Sequence, residues 1–298
     1  MSTETPIVCE HLSKSFRSKK FKRVQALDDV SFHVLQGTVC GFLGPNGAGK
    51  STTIKILTHQ IRPQKGVAKL MGLGVSAPES RRRLGYLPEN PSFHDTLTGR
   101  EILNFAGSCH GIAKNALPLA VIQVLARLGL AHAADRPVRG YSKGMVQRLG
   151  LAHALIHDPD LLILDEPSSG LDPLGRALVR DIIREEKLRG KTVFFSTHVV
   201  SDVEQVCDHV LIVDQGRVKA DAPLIDLQRQ ADEGHYQVLV RDPDGKTREE
   251  LVYASALHAV LKKAEQCREV VESVRPQESA LERVFLRLVE TKKTDINM

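Results

Sequence analysis

Apolar and polar residues along most of the chain follow patterns that predict strands and helices in turn. Continuous or alternating apolar runs predict strands, and apolar residues three or four positions apart predict helices. The expected strands are residues 7–15, 26–34, 38–43, 66–74 (a short strand and a loop), 161–164, 192–196, 210–214 and 217–220. The expected helices are residues 52–58 and 174–188, together with a long helical region after residue 98. This alternation is typical of an α/β fold with a largely parallel sheet.

A helical block interrupts the alternation between about residues 90 and 157. The segment Thr98-Gly99-Arg100-Glu101 has the pattern of a capping box, in which a hydroxyl and a carboxylate satisfy free N–H groups at a helix start. Ser201-Asp202-Val203-Glu204 has the same pattern and predicts a second helix start. We therefore expect an inserted helical subdomain, after which strands and helices resume.

The pattern changes again near residue 231, where we expect a small α+β domain over residues 231–298. Its expected elements are a strand at 236–240, a tight turn at 242–245, a helix with apolar residues at 257, 260, 261 and 264, a strand at 270–274 and a last helix capped by Ser279. No catalytic pattern occurs in this stretch. Residues 1–230 are expected to form the other domain and to carry the chemistry.

The segment Gly44–Ser51 fits the phosphate-binding loop pattern G-x-x-x-x-G-K-[ST], between a predicted strand and a predicted helix. The glycines allow backbone N–H groups to turn toward phosphate oxygens, and the helix N-terminus adds positive potential. Lys50 is expected to reach the β- and γ-phosphates, and the Ser51 hydroxyl to ligate Mg²⁺. The residues expected to contact the nucleotide here are Gly44, Pro45, Asn46, Gly47, Ala48, Gly49, Lys50, Ser51 and Thr52.

Two carboxylates follow the apolar run Leu161–Leu164, which is typical of a strand buried on both faces of a parallel sheet. Asp165, at the carboxyl end of this strand, is placed to hold Mg²⁺ directly or through water. Glu166 beside it is placed to polarise an attacking water as a general base. An Asp-Glu pair alone is weak evidence, but combined with an upstream phosphate-binding loop it becomes strong evidence for a nucleoside-triphosphate site.

Composition excludes several function classes. The 298 residues are 42% hydrophobic and 26% charged, and the net charge of +5 is too small to indicate a nucleic-acid binder. Five scattered cysteines without a C-x-x-C pair are typical of reduced thiols in a cytosolic protein. Residues 1–6 lack a signal-peptide pattern, and no apolar run approaches the ~20 residues needed to span a bilayer. Any membrane component is therefore expected to be another chain.

Five of the seven residues at positions 17–23 are basic, and this run has two interpretations. It is either a solvated turn between two strands or a contact with anionic lipid, which is worth ~1 kcal/mol per basic residue at a membrane surface. Sequence alone favours the solvated turn.

Taken together in this order, the motifs resemble those of the ATP-binding cassette family over roughly residues 7–225. Phe16 stands where the family has an aromatic that stacks on adenine. Residues 141–148 stand at the signature motif, where Ser142 and Gly144 would touch the γ-phosphate. Asp172, within Gly170-Leu171-Asp172, stands in the loop that contacts the opposite subunit, and His198 stands at the switch histidine.

The chain departs from the family at two places. The signature usually has two glycines and a glutamine where this chain has Lys143, Gly144 and Met145. The loop that leads into the helical block has Glu89 in place of the usual glutamine, and an ionised carboxylate accepts hydrogen bonds and binds Mg²⁺ more strongly than an amide. The expected metal contacts are therefore Ser51, Asp165 and Glu89. Both departures resemble the branch of cassette ATPases that serves separate six-helix, export-type permeases.

The resemblance implies a P-loop cassette with an inserted helical subdomain, which binds ATP and Mg²⁺ and uses Glu166, His198 and Lys50 in hydrolysis. It also implies a second cassette subunit, a separate transmembrane permease and a peripheral position on the cytoplasmic face of the cell membrane, with no nucleic-acid partner. Two alternatives remain open: a cassette ATPase outside transport, and a regulatory module that holds ATP without turnover. A single P-loop and a short insertion disfavour the first, and the presence of both Glu166 and His198 disfavours the second.

Overall fold

The computed structural model describes residues 5–17, 23–231 and 234–290. The chain divides into two compact units, residues 1–221 and 222–298. The division falls earlier than the predicted position near residue 230, because the short helix over 224–229 belongs to the second unit. Most of the basic run at residues 17–23 lies outside the described residues, which include only its two ends.

The strands, numbered along the chain, are β1 (Ile7–Arg17), β2 (Arg23–Val34), β3 (Val39–Leu43), β4 (Lys65–Leu70), β5 (Leu73–Gly74), β6 (Leu84–Leu87), β7 (Leu161–Asp165), β8 (Thr192–Thr197), β9 (His209–Asp214), β10 (Arg217–Pro223), β11 (His235–Arg241), β12 (Thr247–Tyr253) and β13 (Val270–Pro276). The α-helices are α1 (Lys50–Leu57), α2 (Gly99–Cys109), α3 (Leu117–Arg127), α4 (Lys143–Leu155), α5 (Pro173–Leu188), α6 (Val200–Val206), α7 (Leu224–Arg229), α8 (Ala254–Gln266) and α9 (Ala280–Glu290).

A central sheet with the strand order β10-β9-β3-β8-β7-β6 organises the first unit. The pairs β9-β3, β3-β8, β8-β7 and β7-β6 are parallel, which confirms the predicted parallel sheet, although the sequence analysis did not predict β6 as a strand. β3, β7 and β8 are buried along their whole length. Because parallel strands end at a common edge, the residues after β3, β7 and β8 are brought together there.

A second, antiparallel sheet with the order β2-β1-β4-β5 completes the layers of the first unit. The two sheets share a hydrophobic core in which Phe32 of β2 stacks 5.7 Å from Phe194 of β8 and lies 5.8 Å from Phe42 of β3. The sequence predicts β1, β2 and β4, but it predicts neither β5, which falls in the expected loop, nor the separation of these strands into a sheet of their own. Aromatic pairs at such distances add to the stabilisation from buried area alone.

The predicted helical block consists mainly of α2, α3 and α4. The capping box at its start is confirmed: Thr98 accepts a hydrogen bond from the Glu101 N–H, and the Glu101 carboxylate accepts one from the Thr98 N–H. The second predicted capping box is wrong. Helix α6 begins at Val200, so Ser201 already lies inside the helix and caps nothing.

The predicted hairpin after β9 is confirmed by its turn, since Gln215 and Gly216 both have positive φ angles, 50° and 74°. Two such residues form the tight turn that matches the twist of the flanking strands. The chain enters this turn directly from a strand that pairs with β3. The turn therefore lies at the edge of the sheet where β3 ends.

The second unit has a three-stranded antiparallel sheet with the order β12-β11-β13, and α8 packs on it. Val238, Val240, Val252 and Ala264 form its small core. The sequence analysis missed β12, because this edge strand is largely exposed and rich in charged residues. The Ser279 hydroxyl accepts a hydrogen bond from the Glu282 N–H at the start of α9, as predicted.

All five cysteines are free thiols. Cys9, Cys40 and Cys207 are buried, and burial raises the pKa of each thiol well above its usual range. Cys109 and Cys267 are exposed. Within the described ranges, no helix is both long and apolar enough to traverse a bilayer.

Candidate active site

The segment Gly44–Ser51 forms the loop between β3 and α1. Gly49, which directly precedes α1, has a φ of +109°, and a Cβ there would lie 2.7 Å from the Ala26 carbonyl oxygen. A Cβ on Gly44 would lie 2.4 Å from the Val213 carbonyl oxygen. Both positions therefore require glycine, so that the loop can pack closely on neighbouring backbone.

Lys50 is enclosed by this loop and is only 6% exposed. Its Nζ donates hydrogen bonds to the carbonyl oxygens of Gly44, at 2.6 Å, and Pro45, at 3.2 Å. It also lies 3.5 Å from Oε1 of Glu166. The loop thus holds a buried positive charge beside the predicted general base.

Asp165 ends β7 and is 3% exposed. Its Oδ1 accepts a hydrogen bond from the Ser196 hydroxyl at 2.5 Å and lies 3.4 Å from Oγ of Ser51. Burial raises the pKa of the Asp165 carboxyl, the two hydroxyl contacts lower it, and the nearby charges of Glu89 and Glu166 raise it further. The net direction is upward, because burial and the two neighbouring carboxylates outweigh the hydroxyl contacts.

Glu166 follows directly, with a φ of +48° that residues other than glycine seldom adopt. Its N–H donates to Oγ of Ser196 at 3.0 Å. Its carboxylate is oriented by two groups: Lys50 at Oε1 and the His198 ring, whose Nδ1 lies 3.0 Å from Oε2. Glu166 is 8% exposed, whereas about half of the His198 side chain is exposed.

An open cleft with a volume of about 360 Å³ brings together most of the predicted nucleotide contacts. It is lined by Phe16, Val24, Gln25, Ala26, Pro45, Asn46, Gly47, Gly49, Lys50, Ser51, Thr52, Glu89 and Glu166. Phe16 is 43% exposed, and Lys14 Nζ lies 5.6 Å from the centre of its ring. The exposed Glu89 lies on the same cleft, close enough to Asp165 to affect its pKa.

The residues predicted from the signature motif do not line this cleft. Ser142 is exposed and caps α4 by accepting a hydrogen bond from the Met145 N–H at 3.2 Å. Asp172 caps α5 by accepting one from the Gly175 N–H at 2.8 Å. A Cβ on Gly144 would lie 3.3 Å from Cδ2 of Leu171, so the start of α4 and the segment before α5 are adjacent.

Lys143, which departs from the usual signature, packs against Gly170 in the segment before α5. Its aliphatic stem covers Gly170, where an added Cβ would lie 2.8 Å from Cε of Lys143. Gly170 also has a φ of +69°. Lys143 therefore occupies space that only a glycine at position 170 leaves available.

Two buried residues of the site were not singled out by the sequence analysis. Ser196 is fully buried at the end of β8, where it contacts both Asp165 and Glu166. Gln147 of α4 is 4% exposed, and its Nε2 lies 3.4 Å from the Glu166 carbonyl oxygen and 3.3 Å from that of Pro167. The available signals were a hydroxyl ending an apolar strand and an amide among buried helix positions.

The side chains present suit a magnesium ion held mainly by phosphate. Within the described part of the chain, no three His, Cys, Asp or Glu residues are grouped so as to hold a metal by themselves. Mg²⁺ commonly takes one or two carboxylates and keeps water and phosphate oxygens as its other ligands. Asp165, with little cationic compensation and with the Ser51 hydroxyl beside it, fits that requirement.

Comparison with known proteins agrees with this geometry. The profile of the family described as "ABC transporter" matches residues 27–169. An uncharacterized ABC transporter ATP-binding protein of Synechocystis sp. is 43% identical over 232 residues, which are 76% of this chain and 65% of that protein. The chain thus spans slightly under two thirds of this relative.

Two further relatives have descriptive names. The bacitracin transport ATP-binding protein BcrA of Bacillus licheniformis is 40% identical over 76% of this chain and 72% of its own length. The daunorubicin resistance ATP-binding protein DrrA3 of Streptomyces coeruleorubidus is 36% identical over 80% of this chain and 75% of its own length.

A solved structure described as the ATP binding subunit of an ABC transporter superposes with a TM-score of 0.68 and 32% identity. The superposition covers 75% of this chain and 92% of that structure. Both the expected cassette fold and the expected family are therefore confirmed. On its sequence, its fold and its nucleotide-binding loop, the chain belongs to the family of ABC transporter ATP-binding proteins, which are ATPases.

Proposed function

We propose that this chain binds and hydrolyses ATP and thereby energises export through a separate transmembrane permease. One observation carries the proposal: Glu166, buried at the end of β7, contacts both Lys50 of the phosphate-binding loop and His198. A carboxylate held in this way beside a phosphate site is suited to activate water. A module that only holds ATP has no need of such an arrangement.

Each residue of the cleft has a distinct part in the proposed reaction. Phe16 would stack on the adenine, and the backbone of the loop with Lys50 would hold the phosphates. Ser51, Asp165 and Glu89 would hold Mg²⁺, which supplies charge neutralisation at the phosphates when it is bound. Glu166 would accept a proton from the attacking water, and His198 would orient the Glu166 carboxylate and the departing phosphate.

The exposed positions of Ser142 and Asp172 support completion of the site by a second cassette. Neither residue lines the cleft of its own chain. In the proposed working dimer, Ser142, Gly144 and Asp172 of one subunit face the nucleotide bound to the other. The second subunit is either an identical chain or a related cassette.

The permease would dock around residues 89–97, where the central sheet leads into the helical block, and would hold the chain at the cytoplasmic face of the membrane. The direction of transport is proposed from the relatives named for bacitracin transport and daunorubicin resistance. Fractionation of cells with and without the permease tests the docking. Equal membrane binding in both cases would instead favour a lipid contact by the basic run.

The central experiment replaces Glu166 by Gln, which keeps the size of the side chain but removes the proton acceptor. Turnover is expected to fall by about 10²–10⁴-fold, the usual contribution of a general base, while ATP binding persists. The variant should therefore accumulate as an ATP-dependent dimer in sizing experiments.

Lys50→Ala is the control, because it weakens phosphate binding and should show neither hydrolysis nor the trapped dimer. Turnover by Glu166→Gln at the wild-type rate would refute the assignment of the base. ATP binding without turnover by the wild-type chain would favour the regulatory alternative.

A further inference from the structure

Gln147 of helix α4 contacts the main chain of the candidate base. Gln147 lies five positions after Ser142, which caps the helix, and it is 4% exposed. Its Nε2 is directed at two successive main-chain carbonyls, those of Glu166 at 3.4 Å and Pro167 at 3.3 Å. A single amide thus joins the helix of the signature motif to the segment that carries the base.

The segment it joins has an unusual conformation. Glu166 has a φ of +48°, a conformation that costs free energy and persists only where the surroundings hold the residue in place. On the other side of the residue, its N–H donates to Ser196 Oγ at 3.0 Å and is 3.2 Å from the Ser196 carbonyl oxygen. Ser196 belongs to the rigid central sheet, whereas Gln147 belongs to the helical block. The main chain of Glu166 is therefore held between two different parts of the unit.

We infer that Gln147 is a positioning residue that couples the start of α4 to the orientation of the Glu166 carboxylate. The inference rests on the proposed function, in which Ser142 engages the nucleotide of the second subunit. A rigid helix that shifts when Ser142 is engaged pulls on the carbonyls of Glu166 and Pro167 through the Gln147 amide. The base of one site thereby responds to the nucleotide bound at the other.

The geometry limits which side chains can perform this role. The partners are two carbonyl oxygens, so the group between them must donate, and the amide NH₂ has the two donors required. Hydrolysis is sensitive to small displacements, since a shift of about 1 Å at a reacting group can cost about 10²-fold in rate. Loss of the amide is therefore expected to affect the rate of the chemical step more than the binding of nucleotide.

The first test replaces Gln147 by Met, which has a similar length but no N–H donor. Its matched control is Leu149→Met, a volume-conserving change at a fully buried position of the same helix. In the full-length chain, kcat of Gln147→Met is expected to fall about tenfold, with affinity for a non-hydrolysable ATP analogue unchanged within about twofold. Leu149→Met should keep both values.

The second test is a double-mutant cycle with Ser142→Asn, which retains a good helix cap but changes the group offered to the phosphate. If Gln147 transmits the engagement of Ser142, Ser142→Asn lowers kcat in the wild-type background and has little further effect in Gln147→Met. Additive effects on the logarithm of kcat would overturn the inference. So would an equal loss of kcat and analogue affinity in Gln147→Met, or equal losses in Gln147→Met and Leu149→Met.

Failure of the inference is distinguishable from failure of the proposed function. Wild-type kcat in Gln147→Met, combined with inactive Glu166→Gln, would reject the coupling alone. Wild-type kcat in Glu166→Gln would reject the assignment of the base itself.

Discussion

Buried carboxylates lie at both edges of the central sheet, but the two edges differ in whether a cation of the chain pairs with the carboxylate. At the carboxyl edge, Asp165 is in contact with two hydroxyls, and among the ion pairs of the described residues none includes it. At the amino edge, Glu186 of α5 is fully buried and pairs with Arg127 at 2.7 Å and with Arg189 at 3.0 Å. Among the described residues, Asp165 therefore has no cationic partner, whereas Glu186 has two.

The same contrast extends to the neighbours. Two further carboxylates lie near the starts of β6, β7 and β8. Asp160 accepts a hydrogen bond from Arg83, and Asp158 accepts one from Arg189. Lys191 forms ion pairs with both carboxylates. At the opposite edge, the buried cation Lys50 is directed mainly at carbonyl oxygens. The carboxylates named at the amino edge are paired with cations of the chain, whereas at the carboxyl edge Glu166 is paired with Lys50 and Asp165 is in no ion pair of the described residues. We therefore expect the loss of the Glu186 charge to lower stability, and the loss of the Asp165 charge to affect turnover more than stability.

The largest expected effect is that of Asp165→Asn. Loss of the carboxylate that we propose holds Mg²⁺ should lower turnover by roughly 10²-fold or more, because metal stabilisation of a transition state is worth several kcal/mol. Without added nucleotide, the melting temperature should stay the same or rise, since a desolvated charge is removed. Turnover assays and calorimetry measure the two quantities. A marked loss of stability would show that Asp165 is compensated like Glu186.

Glu186→Gln should have the opposite effects, lowering stability and leaving turnover unchanged. Breaking a buried ion pair typically costs 3–5 kcal/mol, and the partial exposure of Arg127 and Arg189 reduces the expected loss to about 2 kcal/mol. Turnover at temperatures well below unfolding should remain at the wild-type value. Urea unfolding with parallel ATPase assays tests this, and a loss of turnover in the folded variant would contradict the division between the two edges.

Ser196→Ala tests whether the hydroxyl between Asp165 and Glu166 contributes to turnover. The serine hydroxyl donates to Asp165 and accepts from the Glu166 N–H, so its loss loosens both residues. Turnover should fall about tenfold, with a small effect on ATP affinity. Ser80→Ala is a suitable control, because Ser80 is also buried and its hydroxyl donates to the Ala77 carbonyl oxygen instead of to a residue of the site. Equal turnover in the two variants would show that Ser196 does not contribute to the reaction.

The smallest effect concerns His157 at the amino edge. Burial lowers its pKa to about 4, and the neighbouring His110 and His153 act in the same direction. The Leu84 carbonyl and Asp158 raise the pKa, but by less. His110 stacks on His157 at 3.6 Å. The pKa of His157 in the folded chain lies below the unfolded value of about 6.5, so its contribution to stability is complete above pH ~6.5 and is lost as pH falls toward 4.

His157→Gln should therefore flatten the decline in the urea midpoint between pH 6.5 and 4, since an amide can still donate to the Leu84 carbonyl oxygen without becoming charged. His132→Gln, at an exposed position, is the control and should keep the wild-type pH dependence. An identical decline in the two variants would exclude His157 as its source.

The parts of the site that sequence predicts are those carried by short, contiguous patterns. The loop Gly44–Ser51 and the pair Asp165-Glu166 each combine a local motif with a flanking strand or helix, and the structure places them on one sheet edge. Ser196 and Gln147 were given no role in the site, although Gln147 lies within the signature segment, because their partners lie 31 and 19 residues away in sequence. Only the register of β7 against β8 and the packing of α4 bring those atoms together.

The errors in the fold prediction have similar physical causes. The capping pattern at residues 201–204 did not determine the start of α6, which begins at Val200. Strand β12 was missed because its exposed, charged positions give no apolar signal. Alternation of strands and helices predicted the parallel sheet, but it contains no information on which strands form the separate antiparallel sheet.

The distribution of the free thiols has a practical consequence for spectroscopy. Cys9, Cys40 and Cys207 are buried with raised pKa values, so they are poor nucleophiles toward maleimide or methanethiosulfonate reagents at neutral pH. The exposed thiols are Cys109, at the end of α2, and Cys267, directly after α8. The natural sequence thus provides one labelling position on each unit, and paired fluorophores or spin labels there would report the distance between the units through a turnover cycle.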